Sequence, residues 1–177
     1  MLDNYFKLLG LEISYDVDMS LLKANYLDLQ RTVHPDKFAH ASDLDRRLSV
    51  QKAAQINDAF QTLKNPLKRA VYQLSLSGVE IKDNETAMEP AFLMEQMELR
   101  EKLAGIKQQA EPFDALDQMI AEVETSLRAF QTHMSKLFSE ASAEALQQAK
   151  TNVLKMQFLS RLQEECLNLE EELANEF

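Results

Sequence analysis

The 177-residue chain is rich in helix-favouring side chains and has only three Gly and four Pro, so an all-α fold is expected, in one ordinary domain or two small ones. A formal net charge of −10 argues against general nucleic-acid binding and against anionic membrane surfaces, because both need clustered Lys and Arg. Cys166 is the single cysteine, which excludes an internal disulfide or a multi-thiolate metal site built from this chain alone and suits a reducing compartment; with no leader pattern and no stretch of ~20 apolar residues, a soluble, cytoplasmic protein is expected.

In chain order, Asp3 is placed to cap a short first helix carrying Tyr5, Phe6, Leu8 and Leu9, with Gly10 at the left-handed position that ends it. Asp18 or Ser20 can cap a second helix in which Leu22, Tyr26, Leu29 and Val33 recur on one face. That helix must stop at His34, because Pro35 disfavours helical geometry in the residue before it, so His34-Pro35-Asp36 is predicted to be a loop tip. A third helix is predicted from Ser42 or Asp43 to Lys64, antiparallel to the second, with Leu48, Ala53, Ile56, Ala59, Phe60 and Leu63 facing it. Asn65-Pro66 restarts a short helix bearing Leu67, Ala70, Val71 and Leu74, closed by Gly78.

Residues 79–89 lack sustained periodicity and read as a connector between a first domain, 1–78, and a second, 90–177. Pro90 opens the next helix. After Glu111-Pro112, Leu116, Ile120, Val123, Leu127, Phe130, Met134 and Leu137 alternate by four and three, the seam of a helix packed in a bundle. A last helix is predicted from Ser142 towards Asn175, with Leu146, Ala149, Val153, Met156, Leu162, Cys166, Leu169 and Leu173 on its inner side, completing an antiparallel three-helix bundle. The acidic clusters Glu164-Glu165 and Glu170-Glu171-Glu172 read as solvated helix faces.

Two features stand out as functional candidates. At about 100° per residue, the helix after Pro90 has two apolar faces: Phe92, Leu99, Leu103 and Ile106 form one stripe, and Leu93, Met94 and Met97, flanked by Glu98 and Glu101, fall on another. One core cannot use both, and a surplus methionine-rich face rimmed by acids suits a partner-binding surface, although an interdomain contact could also cover it. The other candidate is the polar loop. His34, Asp36 and His40, with Asp43 or Asp45, could be enlisted as metal ligands of a hydrolase, but they converge with nothing elsewhere, so no catalytic, cofactor or metal site is expected. His133, inside the seam helix, receives no role.

The loop gains meaning from its surroundings. His34-Pro35-Asp36 sits between two helices, Lys37-Phe38 follows, and downstream stand Ala59-Phe60, Leu63, Asn65-Pro66, Lys68-Arg69-Ala70 and Tyr72. Over about the first 76 residues this resembles the J-domain of the DnaJ family. The segment Ala91-Phe92-Leu93-Met94-Glu95-Gln96-Met97-Glu98-Leu99-Arg100-Glu101 resembles the start of the client-binding domain of the HscB family, J-type co-chaperones of iron-sulfur cluster biogenesis. The resemblance implies a non-enzymatic protein that docks on an HscA-type DnaK-class chaperone through His34, Pro35, Asp36 and Lys37 and the exposed side of the second helix, and that stimulates this partner's ATPase. Lys23 and Arg31 are all that remains of the basic stripe the family usually carries there, with Asp28 intruding. It further implies that Leu93, Met94, Met97, Glu98, Arg100, Glu101 and Phe158 bind an IscU-type iron-sulfur scaffold protein. A general J-domain protein with another client, or a passive helical adaptor, are the competing readings.

Overall fold

The computed structural model describes residues 4–34, 42–81 and 89–176, and the regular elements among them are all helices. The chain divides into two compact units, Met1–Gly78 and Val79–Phe177.

In the first unit, α1 (Tyr5–Leu8) is capped by Asn4, whose side chain accepts from the Lys7 N–H at 2.8 Å. The cap is thus one residue later than Asp3, which lies outside the described residues. Gly10 takes the left-handed conformation, φ +65°, and a Cβ there would come within 3.3 Å of the Asn25 amide, which itself donates to Leu9 O at 2.8 Å. α2 (Met19–Val33) is capped by Asp18, which accepts from the Ser20 and Leu21 N–H groups, and it ends before His34 as the proline rule requires. α3 (Asp43–Lys64) is capped by Ser42, and Asn65 both ends it and caps α4 (Pro66–Leu76), with Pro66 in the first turn.

Phe6, Leu9, Leu22, Val33, Ile56, Ala59 and Leu63 form the core of this unit. Tyr26 stacks on Phe60 with ring centroids 4.0 Å apart, and Tyr5 on Tyr72 at 4.5 Å, so the face predicted for α2 is the one that packs. Leu48 departs from expectation: it is 48% exposed, whereas its neighbour Ser49 is buried and donates its hydroxyl to Arg46 O at 2.8 Å. Consecutive helical residues differ by about 100°, and at this end of α3 the inward direction runs through Ser49, Ala53 and Ile56, which turns Leu48 aside.

The second unit holds α5 (Pro90–Gly105), a 3-10 turn over Ile106–Gln108, α6 (Pro112–Glu140) and α7 (Ala143–Glu176). Cross-helix pairs set the directions. Glu89, Phe92, Arg100 and Lys107 meet Lys155, Phe158, Glu165 and Glu172 in that order, so α5 and α7 run parallel. Lys102 meets Glu122 and His133 meets Asn152, which places α6 antiparallel between them in sequence. The seam of α6 is buried at Leu116, Val123, Leu127, Met134 and Leu137, and Ala141 ends the helix in the left-handed region at φ +50°. Ala145 takes the buried position at the start of α7, with Leu146 half-buried beside it. Cys166 is fully buried as expected, and burial, reinforced by Glu165, pushes its thiol pKa up.

Candidate functional site

The α2 end of the first unit is built around His34. It is the C-cap residue of α2, exposed, with φ −57° and ψ 133°, the extended geometry that proline imposes on its predecessor. Pro35, Asp36, Lys37 and His40 lie outside the described residues. On the solvent side of α2, Lys23, Leu27 and Arg31 stand at intervals of four, one above another, and all three are exposed. Asp28 sits beside them and pairs with Arg31 at 3.1 Å, both side chains about three-quarters exposed.

What holds the other end of α2 is Arg69, of the Lys68-Arg69-Ala70 signature. It is buried, and its Nε donates to Leu63 O at 2.7 Å and its Nη1 to Tyr15 O at 2.6 Å. Its Nη2 reaches Lys64 O at 3.5 Å and the Met19 sulfur at 3.7 Å. One side chain therefore joins the end of α3, the loop into α2 and the first residue of α2, which brings the start of α2 to the end of α3 and makes the two antiparallel. Burial lowers the Arg69 pKa, while Tyr15 and Asp16 act to raise it.

The second unit carries the surplus face. Leu93 is 44% exposed and Met94 and Met97 are each 64% exposed, while Phe92 and Leu99 on the same helix are buried. Glu95, Glu98 and Glu101 are exposed around them. α5 thus has a core-facing stripe and a separate apolar face that the rest of its unit leaves open.

Phe158 of α7 is 8% exposed, with its ring edge-on to Phe92 at 5.9 Å. The reason is that α7 is covered by both neighbours at this level, so its buried face widens to include Asn152, Val153, Leu154, Met156, Phe158 and Leu159. Arg100 closes the outer side, its guanidinium carbon 5.5 Å from the Phe158 ring centre and its Nη2 3.2 Å from Glu165. Sequence reasoning read Glu165 as a solvated acid and passed over Lys155, which lies 5.1 Å from the Phe92 ring centre and 3.8 Å from Glu89. Neither contact has a local signal, since each joins helices about 65 residues apart. A cleft of about 100 Å³ opens between the three helices, lined by Phe92, Leu99, Val123, Phe130, Lys155 and Leu159 among others.

Among the described residues, no three His, Cys, Asp or Glu side chains gather as a metal site would require, and no helix is long and apolar enough to cross a membrane.

Residues 4–73 match the DnaJ domain family, and residues 88–167 match the family described as the HSCB C-terminal oligomerisation domain. A J-domain joined to this helical bundle defines a co-chaperone of the J-domain class. Relatives named co-chaperone protein HscB homolog align along almost the whole length. That of Shewanella halifaxensis is 46% identical, with 96% of this chain and 98% of the relative covered, and that of Shewanella pealeana is 47% identical, covering 97% and 99%. Among solved structures, chaperone HscB from Vibrio cholerae superimposes with a TM-score of 0.88 at 41% identity, covering 97% of this chain and 99% of that one. Human co-chaperone protein HscB also superimposes at 0.88, with 32% identity and coverages of 96% and 83%. The chain belongs to the HscB family of J-domain co-chaperones, which act on a partner's ATPase and are not themselves enzymes.

Proposed function

We propose that this co-chaperone binds an IscU-type iron-sulfur scaffold protein and delivers it to an HscA-type DnaK-class chaperone, whose ATP hydrolysis it stimulates in the cytoplasm. In this reading residues 1–78 are the J-domain, 79–89 a connector and 90–177 the scaffold-binding domain. His34, Pro35, Asp36 and Lys37 dock on the chaperone, with Lys23 and Arg31 as flanking cations. Proline restricts the backbone before it, so the Asp36 carboxylate is offered to a cation on the chaperone with little ordering left to lose, as a charge-assisted hydrogen bond. Leu93, Met94 and Met97 supply the apolar centre of the scaffold site, with Glu98, Arg100 and Glu101 as its rim and Phe158 beneath Arg100.

The observation that carries the reading is the presence, in one chain with a DnaJ-domain match, of a helix that seats Phe92 and Leu99 in its own core and leaves Leu93, Met94 and Met97 outside it. Methionine-rich exposed faces adapt their packing to a partner.

The test is a steady-state ATPase assay of an HscA-type chaperone with this protein, with and without an IscU-type scaffold. Stimulation by the protein alone, a further rise with scaffold, and loss of all stimulation in His34→Gln are expected. Leu93→Ala combined with Met97→Ala should remove the scaffold-dependent rise alone. A chain that stimulates neither with nor without scaffold would leave the passive adaptor as the better description.

A further inference from the structure

Phe130 marks a place where the second unit is not closed. It stands on the periodic seam of α6, and its seam neighbours Leu127 and Met134 are buried, yet Phe130 itself is only half-buried. The cleft of about 100 Å³ lies there, with Phe130 and Val123 lining it from α6, Phe92 and Leu99 from α5, and Leu159 from α7. The helical step separates this place from the apolar face of α5. Glu95 and Lys102 are seven residues apart, on the flank of α5 where Lys102 meets Glu122 of α6 at 3.9 Å. Leu93 and Arg100, also seven apart, lie on the other flank, where Arg100 meets Glu165 of α7. Three polar side chains besides Glu95 line the cleft: Lys155, Glu122 and Ser126. Lys155 is already engaged, its ammonium 5.1 Å from the Phe92 ring centre and 3.8 Å from Glu89. Glu95 is exposed and has no ion pair among the described residues. The edge of the cleft thus carries carboxylate charge that nothing local balances. Its surroundings add to this, since residues 90–177 hold 16 Asp and Glu against 8 Lys and Arg.

We propose that this cleft is a recognition site for a segment of a partner chain that inserts one apolar side chain, of Leu or Met size, and sets an Arg or Lys beside it against Glu95. Size and charge both point to that occupant. Sites that enclose a cofactor or a drug-sized ligand measure ~300–1,000 Å³, so a cleft of this volume takes a single side chain. An apolar one covers the exposed part of Phe130 and removes that surface from water. A cation on the same segment supplies the partner that Glu95 lacks, whereas an acid there meets uncompensated like charge, and discrimination comes from both effects together. Neither the chaperone docking nor the scaffold site is needed for this recognition, because the residues of the cleft lie apart from those that carry either.

The experiment titrates the full chain, labelled with nitrogen-15, with end-blocked hexapeptides and follows its amide shifts by NMR. The probe is Gly-Ala-Leu-Ala-Arg-Gly, and its two controls replace the Arg by Glu or the Leu by Ala. The probe should move the Glu95 and Ser126 amides saturably and bind about tenfold more tightly than either control. Glu95→Lys should reverse the preference between the Arg and Glu peptides. Ser126→Leu, which puts a side chain into the cleft, should abolish binding of the probe. Helical circular dichroism checks the fold of each variant, and the exposed Glu95→Lys change decides the matter if Ser126→Leu does not fold. Equal binding of all three peptides, binding of none, or shifts gathered at Leu93 and Met97 instead would overturn the proposal. So would movement of the Glu95 and Ser126 amides on diluting the chain alone, which would show that a second copy covers the cleft.

Discussion

Replacing Arg69 by Met should unfold the first unit well below its normal temperature. The substitution keeps an unbranched, apolar stem of similar reach and withdraws every donor. Leu63 O and Lys64 O belong to the last turn of α3, whose carbonyls have no partner further along the helix, and Tyr15 O lies in the loop that leads into α2. Hydrogen bonds from a charged donor contribute ~1.5–3 kcal/mol each, and the two short ones, at 2.7 and 2.6 Å, dominate. The unfavourable burial that lowers the Arg69 pKa offsets part of this, leaving a net loss of about 2–4 kcal/mol. For a unit of this size 1 kcal/mol corresponds to ~4–8 °C, so the midpoint should fall by about 10–25 °C. The chain supplies its own probe: it has no Trp, and its four Tyr, at positions 5, 15, 26 and 72, all lie in the first unit. Tyrosine fluorescence during a thermal scan of the intact chain therefore follows that unit. Arg69→Lys retains the charge but not the fork, and should fall between the parent and the Met variant. A Met variant whose tyrosine transition moves by less than about 3 °C would show that these carbonyls do not depend on the guanidinium, and the clamp argument would be wrong.

Burial pushes the Tyr15 pKa up to about 12, with Arg69 opposing and Asp16 adding. The unfolded chain releases this proton first, near pH 10, so the stability tied to the neutral phenol is complete below pH 10 and is lost as pH rises towards 12, on the order of 2–3 kcal/mol in all. Urea melts between pH 9 and pH 12 should display that decline in excess of the one seen in Tyr15→Phe; equal slopes would contradict it. Phe92→Ala removes a buried ring together with its contacts to Phe158 and Lys155, and should cost the second unit about 3–5 kcal/mol, read as faster hydrogen exchange along α5 and α7. Gln73→Met should be neutral or stabilise the first unit by about 1 kcal/mol in the tyrosine-detected melt, because Gln73 Oε1 is buried and meets no hydrogen-bond donor among the described residues.

Local chemistry made most of the helical framework readable. Asp18, Ser42, Asn65 and Pro66 act within one turn of themselves, and a side chain that caps a backbone N–H two or three residues away does so whatever the distant chain does. Periodicity identified the seam of α6 for a similar reason, since a helix has a fixed angular step. The same step also separated Leu93, Met94 and Met97 from Phe92 and Leu99 on α5. It failed at Leu48, and it did not single out Phe158, because the direction of burial is decided by what else covers the helix. Ser49 is inside because of where α3 meets the rest of its unit, and Phe158 is inside because α7 is flanked by two helices there. The role of Arg69 was hidden in the same way, since its acceptors at Leu63 and Tyr15 are backbone groups that carry no side-chain signal.

The covering of Phe158 bears on how the α5 face could work. Leu93, Met94 and Met97 meet solvent as they stand, and a partner could cover them without any change in this chain. Phe158 is 8% exposed, and Arg100, which pairs with Glu165, lies over its ring, so a partner that reached the ring from this side would displace Arg100. Both members of that ion pair are roughly half exposed, and pairs of this kind contribute about 0–1 kcal/mol, so the displacement is inexpensive. The Phe92–Phe158 contact beneath would persist, because Phe92 approaches from the core side. A partner that brought its own carboxylate to Arg100 would thus exchange one ion pair for another and gain an aromatic face already held in place. If the α5 face binds the scaffold as proposed, the static apolar face sets where that partner lands, and the Arg100–Glu165 pair sets whether the ring beneath joins the contact.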